Sequence, residues 1–243
     1  MIFKTFCEYT FSMDIHRYKQ TRLKLLEPAP HREFCFTCRQ PTFTCYCRHI
    51  KKFDPAIKFV ILIHSLEARR RIATGRMSHL CLENSELIRG HDFTHNKKVN
   101  EILNDQSQFH IVLFPGPRSV NLTLLSQKER SVILPNEKKL TVFVIDGTWD
   151  TANKMIRLSE NLHDLPRFCF TPSAPSNFKV RKQPKPGCLS TIEAIYQTID
   201  LLGPYCGFDV RAGKHNALLK VFGEMVEQQL VFSKKLNFRR VRT

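Results

Sequence analysis

The sequence predicts an α/β fold with a largely parallel sheet, and three observations carry the expectation. Thr141-Val142-Phe143-Val144-Ile145 is an unbroken apolar run rich in β-branched residues, the pattern of a strand buried on both faces. The run stops abruptly at Asp146-Gly147-Thr148-Trp149, where Gly147 permits a turn and Thr148 or Asp150 can cap a following helix. From Lys58 onward, strand-like segments alternate with helical ones, the order expected of βα units.

Residues 1–32 read as a leader with no clear strand and a weak helical pattern around Tyr18 to Leu26. Glu27-Pro28-Ala29-Pro30 closes it as an extended linker. Met13 is an alternative start. The leader lacks a secretory core and a small-residue cleavage site, and the expected location is the cytoplasm. Residues 33–52 carry Cys35-Phe36-Thr37-Cys38, six residues, then Cys45-Tyr46-Cys47. A CxxC paired with a CxC places four thiolates around one tetrahedral zinc. A redox CxxC would leave the second pair without a role, and four buried thiols rarely arrive so tightly spaced. This zinc knuckle is expected as a structural appendage.

The body is expected over 53–233. Lys58 to His64, Gln108 to Phe114, Lys138 to Asp146 and Arg167 to Phe170 read as strands. Thr74-Gly75-Arg76 leads into a helical segment with Met77, Leu80 and Cys81 on one face. Phe114-Pro115-Gly116-Pro117 is a turn that forbids helix. Residues 179–185 form a basic loop. Ser190 or Thr191 opens a helix through Leu202, and Ser190 with Glu193 has capping-box spacing. A last helix, Lys214 to Phe232, carries Leu218, Leu219, Phe222, Met225, Val226 and Leu230 at core-facing spacing. Residues 234–243 are basic and read as a flexible RNA-binding arm.

Lys plus Arg is 38 against 22 Asp plus Glu, a formal charge of +16 that favours a polyanionic partner. No basic amphipathic anchor stands out and no apolar run is long enough to span a bilayer, so nucleic acid is favoured over membrane. Ligands of open α/β sheets bind at the carboxyl ends of strands. There the carboxylate of Asp146, the hydroxyl of Thr148 and the only tryptophan converge, although Asp and Thr can equally be mere caps.

Several blocks, in order and spacing, resemble the DTW-domain family of tRNA-uridine aminocarboxypropyltransferases. They are the CxxC-x6-CxC knuckle, His64-x-x-Glu67, Thr74-Gly75-Arg76, Leu113-Phe114-Pro115, Asp146-Gly147-Thr148-Trp149, Arg181-Lys182-Gln183-Pro184 and Leu189-Ser190-Thr191-x-Glu193-Ala194. The chain departs from the family pattern at Ser65, Ala73 and Gly116, each beside a motif and not at its centre. The resemblance implies a SPOUT-like domain, with helices on both faces of the sheet and a C-terminal trefoil knot. It implies S-adenosylmethionine as co-substrate, a tRNA uridine as acceptor and methylthioadenosine as the released product. Phe114, Pro115, Gly116, Gly147, Thr148, Trp149, Ser190 and Thr191 would then line the cofactor pocket. Trp149 either stacks on a base or plugs the core. Asp146 is the catalytic candidate, as general base or as positioner. Arg76, Arg181 and Lys182 are candidates for tRNA phosphates or the cofactor carboxylate, with a solvated surface as the alternative. His64 is given no catalytic role, and a monomer is expected. A SPOUT-like RNA methyltransferase and a non-catalytic, zinc-stabilised RNA-binding protein are the competing functions.

Overall fold

The computed structural model describes residues 33–135, 137–180 and 187–240. Its strands are β1 (Lys58–His64), β2 (Ser85–Gly90), β3 (Gln108–Leu113), β4 (Val120–Asn121), β5 (Lys139–Asp146) and β6 (Arg167–Cys169). They form one sheet in the order β2-β1-β5-β3-β6-β4, with parallel pairing throughout. The helices are α1 (Thr74–Cys81), α2 (Lys97–Leu103), α3 (Gln127–Ile133), α4 (Trp149–Leu158), α5 (Thr191–Leu202) and α6 (Asn216–Arg240).

Alternation along the central strands sorts the helices into two layers. Phe59, Ile61, Val142 and Val144 pack with Met77 of α1, Ile195 and Ile199 of α5, and Leu218 and Phe222 of α6. Val60, Leu62 and Phe143 face the other way, onto Val99 and Ile102 of α2 and Ala152, Met155 and Ile156 of α4. Both faces are therefore covered, which is why β1 and β5 are apolar almost without interruption. The β1–α1–β2 and β5–α4–β6 units leave adjacent strands in opposite directions and on opposite faces. The crevice at the carboxyl ends of β1 and β5 is thus a topological switch point, where open α/β sheets bind ligands.

Three departures from the sequence expectation stand out. β2 and β4 extend the sheet at its two edges. The last helix does not stop at Phe232; its backbone runs on to Arg240, so the expected flexible arm is helical for most of its length. The knuckle is no appendage, because Cys38 and Tyr46 are fully buried in the same core as α1, α5 and α6. The leader, the basic-loop residues Arg181 and Lys182, and the last three residues lie outside the described residues. Among the described residues no helix is long and apolar enough to cross a membrane.

Candidate active site

Side chains two apart on a strand share a face, so Asp146 points the way Val142 and Val144 do, into the layer of α1 and α5. Its carboxylate is buried, 6% exposed. Oδ1 accepts the Thr191 hydroxyl at 2.6 Å. Gly75 closes the other side: a Cβ placed there would lie 2.2 Å from Oδ2. Thr191 is the first residue of α5 and Gly75 the second of α1. Both helices therefore present their amino-terminal ends, with unpaired N–H groups and the positive end of the dipole, to one buried carboxylate. Sequence reading singled out Asp146 and Thr191 but gave Gly75 no role.

The turn after β5 is built around its cap. Thr148 accepts the Thr151 N–H at 3.3 Å and lies 3.0 Å from the Thr151 hydroxyl. Gly147 has no room for a side chain, since a Cβ would meet the Thr151 hydroxyl at 2.6 Å. Trp149, 42% exposed, does not plug the core. Its ring stacks on Phe114, with centroids 5.7 Å apart and planes 15° from parallel. The register Leu113↔Val144 between β3 and β5 brings the two loops side by side. Ser119 tightens the turn after β3, donating to the Gly116 carbonyl at 2.7 Å and accepting its N–H at 3.1 Å. Pro115 is exposed at the tip.

Ser190 reaches the same edge but is otherwise engaged. Its N–H and hydroxyl both donate to Glu193, at 2.8 and 2.6 Å. That carboxylate also takes the Ser176 hydroxyl at 2.6 Å and the Asn177 N–H at 2.7 Å. Ser190 thus acts as the helix cap, and Glu193 ties the segment before α5 to its start. Ser176 and Asn177 lie in a loop whose sequence carries no periodic signal, so neither was anticipated.

Arg76 is a correction. A tRNA phosphate contact or a solvated surface requires exposure, whereas Arg76 is 6% exposed. Its guanidinium donates to the carbonyls of Ala68 and Arg70, pinning the loop after β1. Burial pushes it below the ordinary arginine value, while the Asp146 carboxylate acts in the opposite sense. His64 accepts the Leu66 N–H at 3.2 Å. Burial first, then His91, hold it below the usual imidazole value.

The four knuckle cysteines converge. Their sulfurs all lie within 4.8 Å of one another, with Cys35–Cys47 at 3.7 Å and Cys38–Cys45 at 3.6 Å. A tetrahedral zinc with bonds of about 2.3 Å sets its sulfurs about 3.8 Å apart, so the four thiols fit a metal ion such as zinc. The cluster is joined to the body where the Gln40 side-chain amide donates to the Arg71 carbonyl. A cavity of about 540 Å³, lined by Phe109, Lys139, Leu140 and Tyr205, sits at the amino-terminal ends of β3 and β5. It is at the opposite end of the sheet from Asp146 and has no part in this site.

The family model described as the DTW domain matches residues 32–230. The tRNA-uridine aminocarboxypropyltransferase 2 of Drosophila melanogaster is 28% identical over 182 residues, covering 72% of this chain and 69% of the fly protein. The mouse protein of the same name is 26% identical, covering 73% of this chain and 59% of its own. The tRNA-uridine aminocarboxypropyltransferase A of Arabidopsis thaliana is 25% identical over 235 residues, covering 86% of this chain and 85% of the plant protein. No solved structure matches significantly.

Proposed function

The chain belongs to the DTW domain family, and we propose that it is a tRNA-modifying transferase. It moves the 3-amino-3-carboxypropyl group of S-adenosylmethionine to the imide nitrogen of a tRNA uridine and releases methylthioadenosine. The observation that carries this reading is the close packing of Asp146 with Thr191 and Gly75 at the carboxyl end of β5, the strand whose following turn also carries the Trp149–Phe114 stack. The names of the fly, mouse and plant relatives point to the same reaction.

The residues present fit such a co-substrate. A buried carboxylate suits the cationic amino or sulfonium centre, and the half-exposed face of Trp149 suits a purine ring or a cation above it. Phe114, Pro115, Gly116, Gly147, Thr148 and Thr191 supply the walls. Bound there, S-adenosylmethionine provides an electrophilic carbon beside a sulfonium, and orientation decides which of three carbons is attacked. Asp146 is assigned the positioning role. It is fixed by the Thr191 hydroxyl and by Gly75, flanked by two helix ends, and nearly closed to solvent. That suits an anchor better than a base that must meet a uridine proton. Thr191 holds Asp146, and Ser190 with Glu193 holds Thr191.

The four cysteines hold a structural zinc, since four thiolates leave no open coordination position. The fold is assigned to the SPOUT-like class with a C-terminal trefoil knot. In support, the chain after β6 returns past β3 to lay α5 against Asp146 of β5. Incubation of the protein with unmodified tRNA and S-adenosylmethionine, followed by nucleoside analysis, tests the function. An aminocarboxypropyl-uridine supports it. A methylated nucleoside makes the protein a methyltransferase, and no adduct makes it a binding protein.

A further inference from the structure

Three phenylalanines of the knuckle face solvent. Phe36 is 100% exposed, Phe43 63% and Phe34 47%. Single exposed apolar residues are ordinary, but three within ten residues on a small metal-binding turn ask for a partner. Exposed Arg39, Arg48, Lys51 and Lys52 lie in the same twenty residues, and Glu33 is the one acidic residue in 33–52. The Gln40–Arg71 contact sets this turn beside Arg69, Arg70 and Arg71, which are also exposed. On the other flank Phe43 packs edge-on against Phe232 of α6, with ring centroids 5.3 Å apart. Past Phe232 the sequence of that helix continues with Lys234, Lys235, Arg239 and Arg240.

The backbone at Arg39 adds a separate observation. Its φ is +60°, one of two positive values among the described non-glycine residues. The turn needs that conformation, because the Arg39 N–H bonds the Cys35 carbonyl and the Cys35 N–H the Gln40 carbonyl, both at 2.8 Å. Glycine adopts such a φ without strain, and a side chain with a Cβ does not. An arginine in place of glycine costs the turn some stability and sets a cation at its tip.

We propose that the knuckle is a second tRNA-docking face, apart from the acceptor site. Arg39 contacts a backbone phosphate, and Phe36 stacks on an unpaired base. Aromatic side chains interleaved with cations are the chemistry that recognises splayed-out bases of a structured RNA. The regular line of phosphates on an RNA accounts for the density of positive charge. The inference rests on the tRNA reading given above.

The test measures binding of the full-length, metal-loaded chain to an unmodified tRNA transcript across a salt series, beside thermal melts and zinc content. Arg39→Gly keeps its zinc and melts at or above the wild-type temperature. Its tRNA affinity nevertheless falls, and the slope of log K against log salt drops by about one. Phe36→Ala weakens binding about 5- to 150-fold with the salt slope unchanged, and Phe36→Tyr restores it. If the wild type binds tRNA and both variants bind it equally well with unaltered slope, the proposal is overturned and the face belongs to a protein partner or to solvent. If the wild type binds no tRNA, the functional reading itself fails first, a result distinguishable from the other.

Discussion

Gly75→Ala is the sharpest perturbation of the site. In most helices this exchange stabilises by up to about 1 kcal/mol, because alanine has less conformational freedom to lose. Here the new Cβ would sit 2.2 Å from Asp146 Oδ2, 2.9 Å from its Cγ and 3.0 Å from Ile61 Cγ2. Neither neighbour can swing away freely. Ile61 is fully buried, and Asp146 is 6% exposed at the end of a central strand. Relief requires the carboxylate to move by about an ångström, since non-bonded carbons and oxygens settle well beyond 3 Å. Such a shift breaks the 2.6 Å bond from Thr191. Overpacking costs about 1–3 kcal/mol, and loss of a hydrogen bond to a charged group costs about 1.5–3 kcal/mol. Set against a propensity gain of about 1 kcal/mol, the net destabilisation is about 1.5–5 kcal/mol. Activity should fall further than stability, because an ångström of misplacement can cost about 100-fold in rate. Denaturant unfolding and the nucleoside assay, run on the same preparation below the unfolding midpoint, measure both. A variant as stable and as active as the wild type would refute the account of Gly75 and Asp146 as a close-packed pair.

Other outcomes follow from the same geometry. Asp146→Asn is expected to lose S-adenosylmethionine binding by calorimetry; normal affinity with abolished transfer would instead make Asp146 the base. Thr191→Val should destabilise by about 1.5–3 kcal/mol in chemical denaturation while Thr191→Ser stays near wild type, because only the hydroxyl reaches Asp146. Cys38→Ser, or strong chelation, should release the metal and lower Tm by about 2–4 °C for each kcal/mol lost, since Cys38 is buried in the main core. His79 and His110 are held below the ordinary imidazole value by burial. The unfolded chain binds their protons more readily, so their contribution is intact above about pH 6.5 and is lost as pH falls through the lowered values. Unfolding free energy measured at pH 7.5 and 5.5 should be smaller at the lower pH.

The elements that sequence revealed are those whose burial leaves a pattern. β1 and β5 are covered on both faces and read as apolar runs, and α5 carries both a capping pair and an apolar stripe. β2, Ser85-Glu86-Leu87-Ile88-Arg89-Gly90, is an edge strand with one buried side chain, so neither alternation nor an apolar run marks it. The basic end of α6 looked like an unstructured tail because of its charge. Lysine and arginine are nonetheless good helix formers, and neither Gly nor Pro interrupts Phe232 to Arg240. Arg76 read as a surface residue because arginine seldom is buried, and only the fold reveals the carbonyls waiting for it. In the site, the turns after β3 and β5 were legible, the first from Pro115-Gly116-Pro117 and the second from Gly147 and the Thr148 cap. The pairing of Asp146 with Thr191 and Gly75 was not, because it is made by helix packing across long stretches of chain.

The bond from Thr191 to Asp146 spans 45 residues, and everything between them must be made before it can close. At about 5–20 residues per second, a ribosome needs about 2–9 s to travel from one to the other. Throughout that interval a nascent chain holds Gly75 but not Thr191, only half of the clasp around the carboxylate, and the sheet itself is completed only when β6 has been made. Competence is therefore a late event in the life of each molecule, conferred by its final quarter. A transcript truncated just upstream of α5 would yield a stub with the signature loop in place and nothing to close over it.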